Sequence, residues 1–509
     1  MSIYQRLQRE ANHQAAEIQR MWDEEDDDDD DDLAQELLKR KRNTGPRKGG
    51  TNQKGRPDYW DSPWGIMLRD PNLQKVGSPE RKAFTRRFRT PYPIYKRLVH
   101  WAKGWHEKKA TDCTGRARCP TELKVLGYLR MTGRAACFDD VEELSFVNES
   151  TMHAFFHKFS EFGRAKLYPV HVSMPTTVEE LADIEAAYAM LGTPGAGGSM
   201  DVVHIALGSC PFGLSNLCTG KEGFPSLGYN MISDHRGRAL ALMPGTYGSI
   251  NDQTIVKYDQ AVKMVKTEKL FTEYMYEVRN ELGERSMEKG IYLIVDGGYL
   301  KWEVLQCGLK HSSEPGYSDW RKRMESVRKD IECYFGRLKQ RFKVLKIPNN
   351  FRKKKEIDDM MFTLVALQNM ILQFDVEMQE FQSWDVQLKW QSVNISEIPE
   401  ENIDRVLHAL EVAENEDVGE ECDPHWFRPK VLKIHKKGKK NEDEDYHDIG
   451  TDFSFIGLRG QDPGDLGWVQ WGDPCLSEKE RFSKKQNVLV KHYTWYRNKF
   501  SSNKMWLRS

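Results

Sequence analysis

Residues 192–198 read GTPGAGG, and the chain obeys different periods on the two sides of this stretch. Before it, apolar residues recur three and four apart, as a helix facing a core requires. After it come short apolar runs, GSMDVVHIAL, FPSLGYNMIS and RALALMP, which read as strands. The first two are separated by the polar loop SNLCTGKEG, the second and third by a tight turn at His235, Arg236 and Gly237. A helical stretch over 252–284 follows, then the apolar strand IYLIVDGGY, then a long basic helix over 320–344. One more amphipathic helix is expected at 356–375.

This order, three strands, a helix, a strand and a helix, is that of a ribonuclease-H-like α/β domain, expected over 195–375 with a helical region over 56–190 ahead of it. Pro120 stands where a first-turn proline is tolerated, with Leu123, Leu126, Leu129 and Met131 behind it at near-helical spacing. The segment FDDVEELSFVNESTMHAFFHKF reads as helix, turn and helix near 138–160. Leu144 and Val147 lie before and in the turn, with Ser150 or Thr151 as cap and Met152, Phe155, Phe156 and Phe159 as the buried stripe. A helix-turn-helix would lay its second helix in a major groove, making Ser150, Thr151 and His153 candidate DNA contacts. A small helical bundle has the same pattern without touching DNA.

Composition adds two constraints. The net charge of −1 hides segregation: residues 23–32 are ten consecutive carboxylates, and Lys39, Arg40, Lys41, Arg42, Arg47 and Lys48 follow. Like-charged runs stay solvated, so 1–55 is expected to be a disordered tail, and KRKRNTGPRK reads as a nuclear-import signal or as a charged linker. Residues 376–509 form an acidic, then basic, C-terminal extension; its last part, 476–509, holds nine Lys or Arg against Glu478 and Glu480 and suits DNA or a partner equally. The nine scattered cysteines suit reduced thiols in a nucleus or cytosol, and Cys113 and Cys119 are too loosely spaced to claim zinc. No run is long and apolar enough to span a membrane, and MSIYQRLQREANHQ lacks the apolar core of a secretory signal.

Three acids stand where carboxylates are costly or well aimed. Asp201 lies inside an apolar strand, which is unfavourable unless it meets a cation or a donor network. Asp296 ends YLIVD before a Gly-Gly turn, and Glu332 lies mid-helix beside the apolar Ile331 and Phe335. Acids from an early strand, a later strand and a following helix suit a two-metal phosphoryl-transfer site, whose ions sit about 3.5–4 Å apart. Asp252, after a Gly-Ser turn, is either a fourth ligand or the cap of the next helix. The segment 321–346 sets ten Lys or Arg against Glu325, Asp330 and Glu332, a net of +7 that suits a phosphate backbone or a solvated helix.

The stretches GSMDVVH, CTGKEGFPSLGYNMISDHRG, MPGTYGSINDQTI, YLIVDGGYLKW and RKDIECYFGRLKQRFKVLK, in order from 199 to 345, resemble the PIF/Harbinger superfamily of eukaryotic DDE transposases, in its plant-transposon-protein branch. Weaker likeness appears at 59–100 and at LVKHYTWY. The resemblance implies a catalytic ribonuclease-H-like domain and two divalent ions, Mg²⁺ or Mn²⁺. It implies Asp201, Asp296 and Glu332 as catalytic acids, with Asp252 as an added metal ligand. Arg328 and Lys339 would contact phosphate or steady Glu332, with Arg337 and Arg341 as further DNA contacts; His204 and Lys221 fall in matching motifs without an assigned role. Duplex DNA is the implied partner, as terminal inverted repeats and target, with a Myb-like accessory protein, a homo-oligomer on DNA and a nuclear location. Two other readings stay open: a metal-dependent structure-specific nuclease, and a domesticated, non-catalytic DNA-binding regulator.

Overall fold

The computed structural model describes residues 58–106, 118–308, 316–377 and 476–500. The tail at 1–55, Cys113 and most of the C-terminal extension lie outside the described residues.

The helical region ahead of the sheet begins with α1 (Pro63–Arg69), α2 (Pro79–Phe88), α3 (Tyr92–His106), α4 (Thr121–Arg134), α5 (Phe138–Ser145) and α6 (Glu149–Phe162). The turn between α5 and α6 passes through Phe146 in the left-handed region (φ 59°). Asn148, rather than Ser150 or Thr151, caps α6, its side chain accepting the Ser150 N–H at 3.2 Å and the Ser150 hydroxyl at 2.6 Å. Asparagine is as good a cap as serine, so spacing alone could not choose. Met152, Phe155, Phe156 and Phe159 are buried, as the stripe requires. A π-helical turn (Gly163–Leu167) follows, where Gly163 lets a later helix approach; a methyl there would lie 2.3 Å from Thr363.

Helix α7 (Val178–Ala189) leads into the central strand β1 (Ala196–Ala206). β1 pairs antiparallel with β2 (Ser226–Ser233), which pairs antiparallel with β3 (Ala239–Leu242) and, further along, with β4 (Thr246–Tyr247). The chain then forms α8 (Asp252–Val256) and α9 (Gln260–Thr267). The helical expectation for 252–284 fails at its far end, where β5 (Met275–Arg279) and β6 (Arg285–Lys289) form a separate hairpin. Tyr276 and Val278 alternate inward there while their neighbours face out, a period of two that a helix cannot satisfy. β7 (Tyr292–Ile294) returns parallel beside β1, and β8 (Leu305–Gln306) lies parallel beside β7, giving the order β3-β2-β1-β7-β8.

Three long helices complete the fold: α10 (Tyr317–Arg341), α11 (Lys354–Glu377) and α12 (Leu476–Phe500). On one side of the sheet Val203, Ile205, Tyr229 and Leu242 join a core with α11 and the N-terminal helices. On the other, Met200, Ile232 and Leu293 join a core with α7, α9 and α12. Helix α10 takes part in both, through Met324 and Val327 in one core and Ile331, Tyr334 and Leu338 in the other.

The basic helix α12 is docked. Phe482, Leu489 and Val490 are buried, the Lys485 ammonium donates to the carbonyls of Lys289 (3.0 Å) and Gly290 (2.6 Å), and Gln486 Nε2 donates to Cys307 O at 2.5 Å. His492 Nδ1 accepts the Arg279 backbone N–H at 3.0 Å. Burial, with a smaller push from Arg279, lowers His492 to about 4, against about 6.5 for a free histidine. The undocked helix therefore takes up a proton in that window and the docked one does not, so docking is strongest above pH 6.5 and weakens as pH falls toward 4. Hydrogen-exchange protection factors of α12 should drop between pH 6.5 and 4.5, and drop much less in His492→Asn, which keeps an acceptor without a titrating ring. Equal protection at both pH values would count against this coupling.

Candidate functional site

Asp201 sits mid-way along β1, with the register pairing Ser199 to Ile294 of β7; two residues further along both chains are Asp201 and Asp296. Asp201 Oδ2 accepts from Arg328 Nη1 at 2.7 Å, and its Oδ1 accepts the Val202 N–H at 2.9 Å. The other end of the same guanidinium, Nη2, pairs with Glu332 Oε1 at 2.7 Å. Arg328 and Glu332 lie one helical turn apart on α10, so the helix presents both to the strand together. Burial raises the Asp201 pKa; Arg328 and the Val202 N–H oppose that, while Asp252 and Glu332 push in the same direction as burial. Asp201 therefore feels the charge of both Asp252 and Glu332.

The segments that carry the other two acids are tied together by Gln253. Asn251 caps α8, its side chain accepting the Thr254 N–H at 2.8 Å, so the carboxylate of Asp252 is not used as a cap. Its Oδ2 lies 3.5 Å from Lys221 Nζ. Next to it, Gln253 Nε2 donates to Gly298 O at 2.7 Å, tying α8 to the turn after β7. Within that turn the Gly298 N–H points back to Asp296 Oδ2 at 3.3 Å, and Asp296 stays exposed. The Lys221 loop reaches Asp252 because two glycines let backbones touch: a methyl on Gly220 would fall 1.9 Å from Gly248 O, and one on Gly248 would fall 2.3 Å from Cys218 O. The loop motif CTGKEG and the segment TYGSIND are thus two sides of one contact.

Among the described residues no three His, Cys, Asp or Glu side chains stand close enough together to hold a metal ion. Arg328 is the cation that Asp201 and Glu332 share.

The four α10 cations expected at DNA are placed unequally. Arg328 is part-buried on its two acids. Lys339 donates to His204 O at 3.0 Å, and burial lowers its pKa. Arg337 lies over the β2–β3 turn, where a methyl on Gly237 would fall 1.7 Å from its Nη2. Arg341 is half-buried in the last turn of α10. Ser150, Thr151 and His153 are exposed on α6, and the His153 ring packs on Phe138 at 5.1 Å and on His157 at 4.6 Å. His204 Nδ1 is 3.1 Å from the Ser226 hydroxyl, so its ring belongs to the β1–β2 pair. Sequence reasoning missed Gln253 and the Lys221–Asp252 pair. Only the Asn-Asp doublet hinted that one side chain would cap and leave the other.

Residues 172–379 match the family model described as Plant transposon protein. The match supports a transposon-derived protein. It covers the whole sheet, all four acids, α10 and α11, and leaves out α1–α6 and α12. No curated protein and no solved structure matches the chain.

Removing the shared cation should be measurable without any substrate. Arg328→Ala leaves Asp201 part-buried and without its charged partner, at a cost of about 1–3 kcal/mol, toward the low end because Glu332 is half exposed. The melting temperature of this variant should fall, and millimolar Mg²⁺ should raise it more than it raises the wild type. A variant as stable as wild type, or indifferent to Mg²⁺, would show that the bridge does not balance charge at this site.

Proposed function

We propose that the chain is a DNA transposase of the PIF/Harbinger DDE kind, which hydrolyses phosphodiesters at terminal inverted repeats and joins the freed 3′-hydroxyl to target DNA. The observation that carries this reading is that Arg328 joins Asp201 of β1 to Glu332 of α10, with the charge of Asp252 felt at Asp201, inside the segment that matches the plant transposon protein model. The sheet supports it too: the order β3-β2-β1-β7-β8, with β3, β2 and β1 antiparallel and β7 and β8 parallel to β1, agrees with the ribonuclease-H-like reading.

The donor set is all carboxylate oxygen, the hard-ligand chemistry of Mg²⁺ or Mn²⁺, and a cation already bridges two of its members. Asp201, Asp296 and Glu332 would hold two such ions, with Asp252 as a fourth ligand. The ions would supply the positive charge that activates a nucleophile and steadies a leaving oxygen. Arg328 restrains Asp201 and Glu332 against mutual repulsion until that charge arrives, and then has a guanidinium to offer the scissile phosphate. Lys221, exposed beside Asp252, is placed to do the same from the β1–β2 loop. Duplex DNA in the nucleus, a homo-oligomer on the repeats and a Myb-like accessory protein complete the proposal.

One observation favours a second reading. Asp201 and Glu332 already share a protein counter-ion, Arg328, as they would in a domesticated regulator that binds DNA without cutting it. Strand cleavage of DNA carrying the gene's own flanking inverted repeats, with Mg²⁺ or Mn²⁺, separates the two. Wild type should nick at the repeat ends, and Glu332→Gln should lose at least about 100-fold of that rate. Nicking without joining to a target plasmid would leave a structure-specific nuclease. Repeat binding by both proteins with cutting by neither, even with nuclear extract present, would leave the regulator.

A further inference from the structure

Helices α2 and α4 end against each other. Gly133, in the last turn of α4, comes so close to the end of α2 that a methyl would meet Arg89 Cγ at 3.1 Å and Phe88 O at 3.3 Å. This crossing collects five arginines, Arg86, Arg87 and Arg89 from the end of α2 and Arg130 and Arg134 from α4. Arg134 Nη2 donates to Arg86 O at 2.7 Å, and Arg130 Nη1 donates to Arg87 O at 3.2 Å. Two helix C-termini meeting would account for these two donations, because carbonyl ends favour cations. They do not account for five guanidinium groups.

None of the five forms an ion pair with a described residue, and the Nε atoms of Arg89, Arg130 and Arg134 are buried without a hydrogen-bond partner. Burial, and then the charges of Arg89, Arg130 and Arg86, hold Arg134 below its ordinary value. The side chains of Arg86 and Arg87 are exposed, while their carbonyls carry the contacts between helices.

The helix-turn-helix surface has the opposite sign. Helix α5 carries Asp139, Asp140, Glu142 and Glu143, and the exposed positions of α6 include Glu149 and Glu161 against Lys158. A phosphate backbone would be repelled from that surface and drawn to the arginines.

We propose that the Arg86, Arg87, Arg89, Arg130 and Arg134 cluster seats the phosphodiester backbone of duplex DNA, so that DNA crosses the helical region at the α2–α4 junction. This rests on the proposed function, which brings duplex DNA to the protein. Guanidinium forks match phosphate oxygens two at a time, and each phosphate neutralised releases counterions. The cluster reads charge and not base sequence, so it fixes where a duplex lies and leaves recognition of the repeats to other contacts.

The test is the salt dependence of duplex binding by the full chain, measured by anisotropy on two unrelated 30-base-pair duplexes. Arg86→Ala/Arg87→Ala removes the two exposed guanidinium groups and leaves the carbonyl contacts in place, so the melting temperature should not change. Its slope of log K against log salt should be shallower by roughly 2, with affinity about tenfold or more lower at 0.1 M salt on both duplexes. An unchanged slope overturns the proposal. So does an equal loss from Lys479→Ala/Lys484→Ala, which removes the same charge from the exposed face of α12 and would reduce the effect to net charge. If the double arginine variant changes nothing but replacing the carboxylates of 23–32 by serine tightens binding, the cluster belongs to the chain's own acidic block. A wild type that binds no duplex at any salt is a different result, and it removes the proposed function itself.

Discussion

The ion bridge from Asp201 through Arg328 to Glu332 is the interaction on which the placement of the long helix depends. A carboxylate in the middle of a central strand is strongly unfavourable without a partner, and a partner must come from whatever crosses that strand. Helix α10 does so at a fixed height. Trp320, Met324 and Val327 anchor its first half in one core, and Ile331, Tyr334 and Leu338 anchor its second half in the other. The change of core falls between Val327 and Ile331, and Arg328 and Glu332 flank that point. Asp330, on the same turn, reaches the β2–β3 turn instead, where its carboxylate lies 2.6 Å from His235 Nδ1. One turn of helix therefore fixes β1 and the far edge of the sheet together.

A second polar network holds the floor beneath the acids. Asn230 of β2 stands across from Val202 of β1, donates to the fully buried Asp259 at 2.6 Å, and accepts from the Tyr299 hydroxyl at 3.5 Å. Asp259 also caps α9 by accepting the N–H groups of Ala261 and Val262. With three donors around it, this carboxylate is satisfied, although burial still raises its pKa. Pulling Tyr299 inward obliges the two glycines before it to turn, and the turn leaves Asp296 outside the core. Asp252 is held by the same logic, since α8 is tied to that turn and α9, which follows α8 after a short connection, is fixed by Asp259.

Much of this was legible in the sequence, for identifiable reasons. Strands β1, β2, β3 and β7 announce themselves because buried strands are unbroken apolar runs, and Asp201 stands out only against such a run. The hairpin β5–β6 did not, because its outward residues include Glu277, Arg279, Arg285 and Lys289, which suit a helix surface equally well. β8 is two residues long and exists only because β7 offers an edge beside it. The cations of α10 show a different limit. Composition counts charge on a helix but not its direction, and Arg328, Arg337 and Lys339 all turn toward the fold.

That direction matters for where a polyanion could lie. The +7 stretch around Glu332 looks like the protein's basic surface, yet its part-buried members have protein carbonyls, carboxylates and a glycine turn as neighbours. Helix α12, equally basic by count, buries Lys485 beneath Glu303 and turns the rest of its charge outward from a docked face. At the α2–α4 crossing Arg86, Arg87 and Arg89 show in the basic window RKAFTRRFR, but Arg130 and Arg134 lie on another helix, so no single window reveals all five. They become a single feature only once Gly133 lets the two helix ends meet. Charge that acts on a distant partner must be clustered and free of acidic neighbours, and at the crossing the arginines stand together with no ion pair to a described residue, Arg86 and Arg87 being exposed.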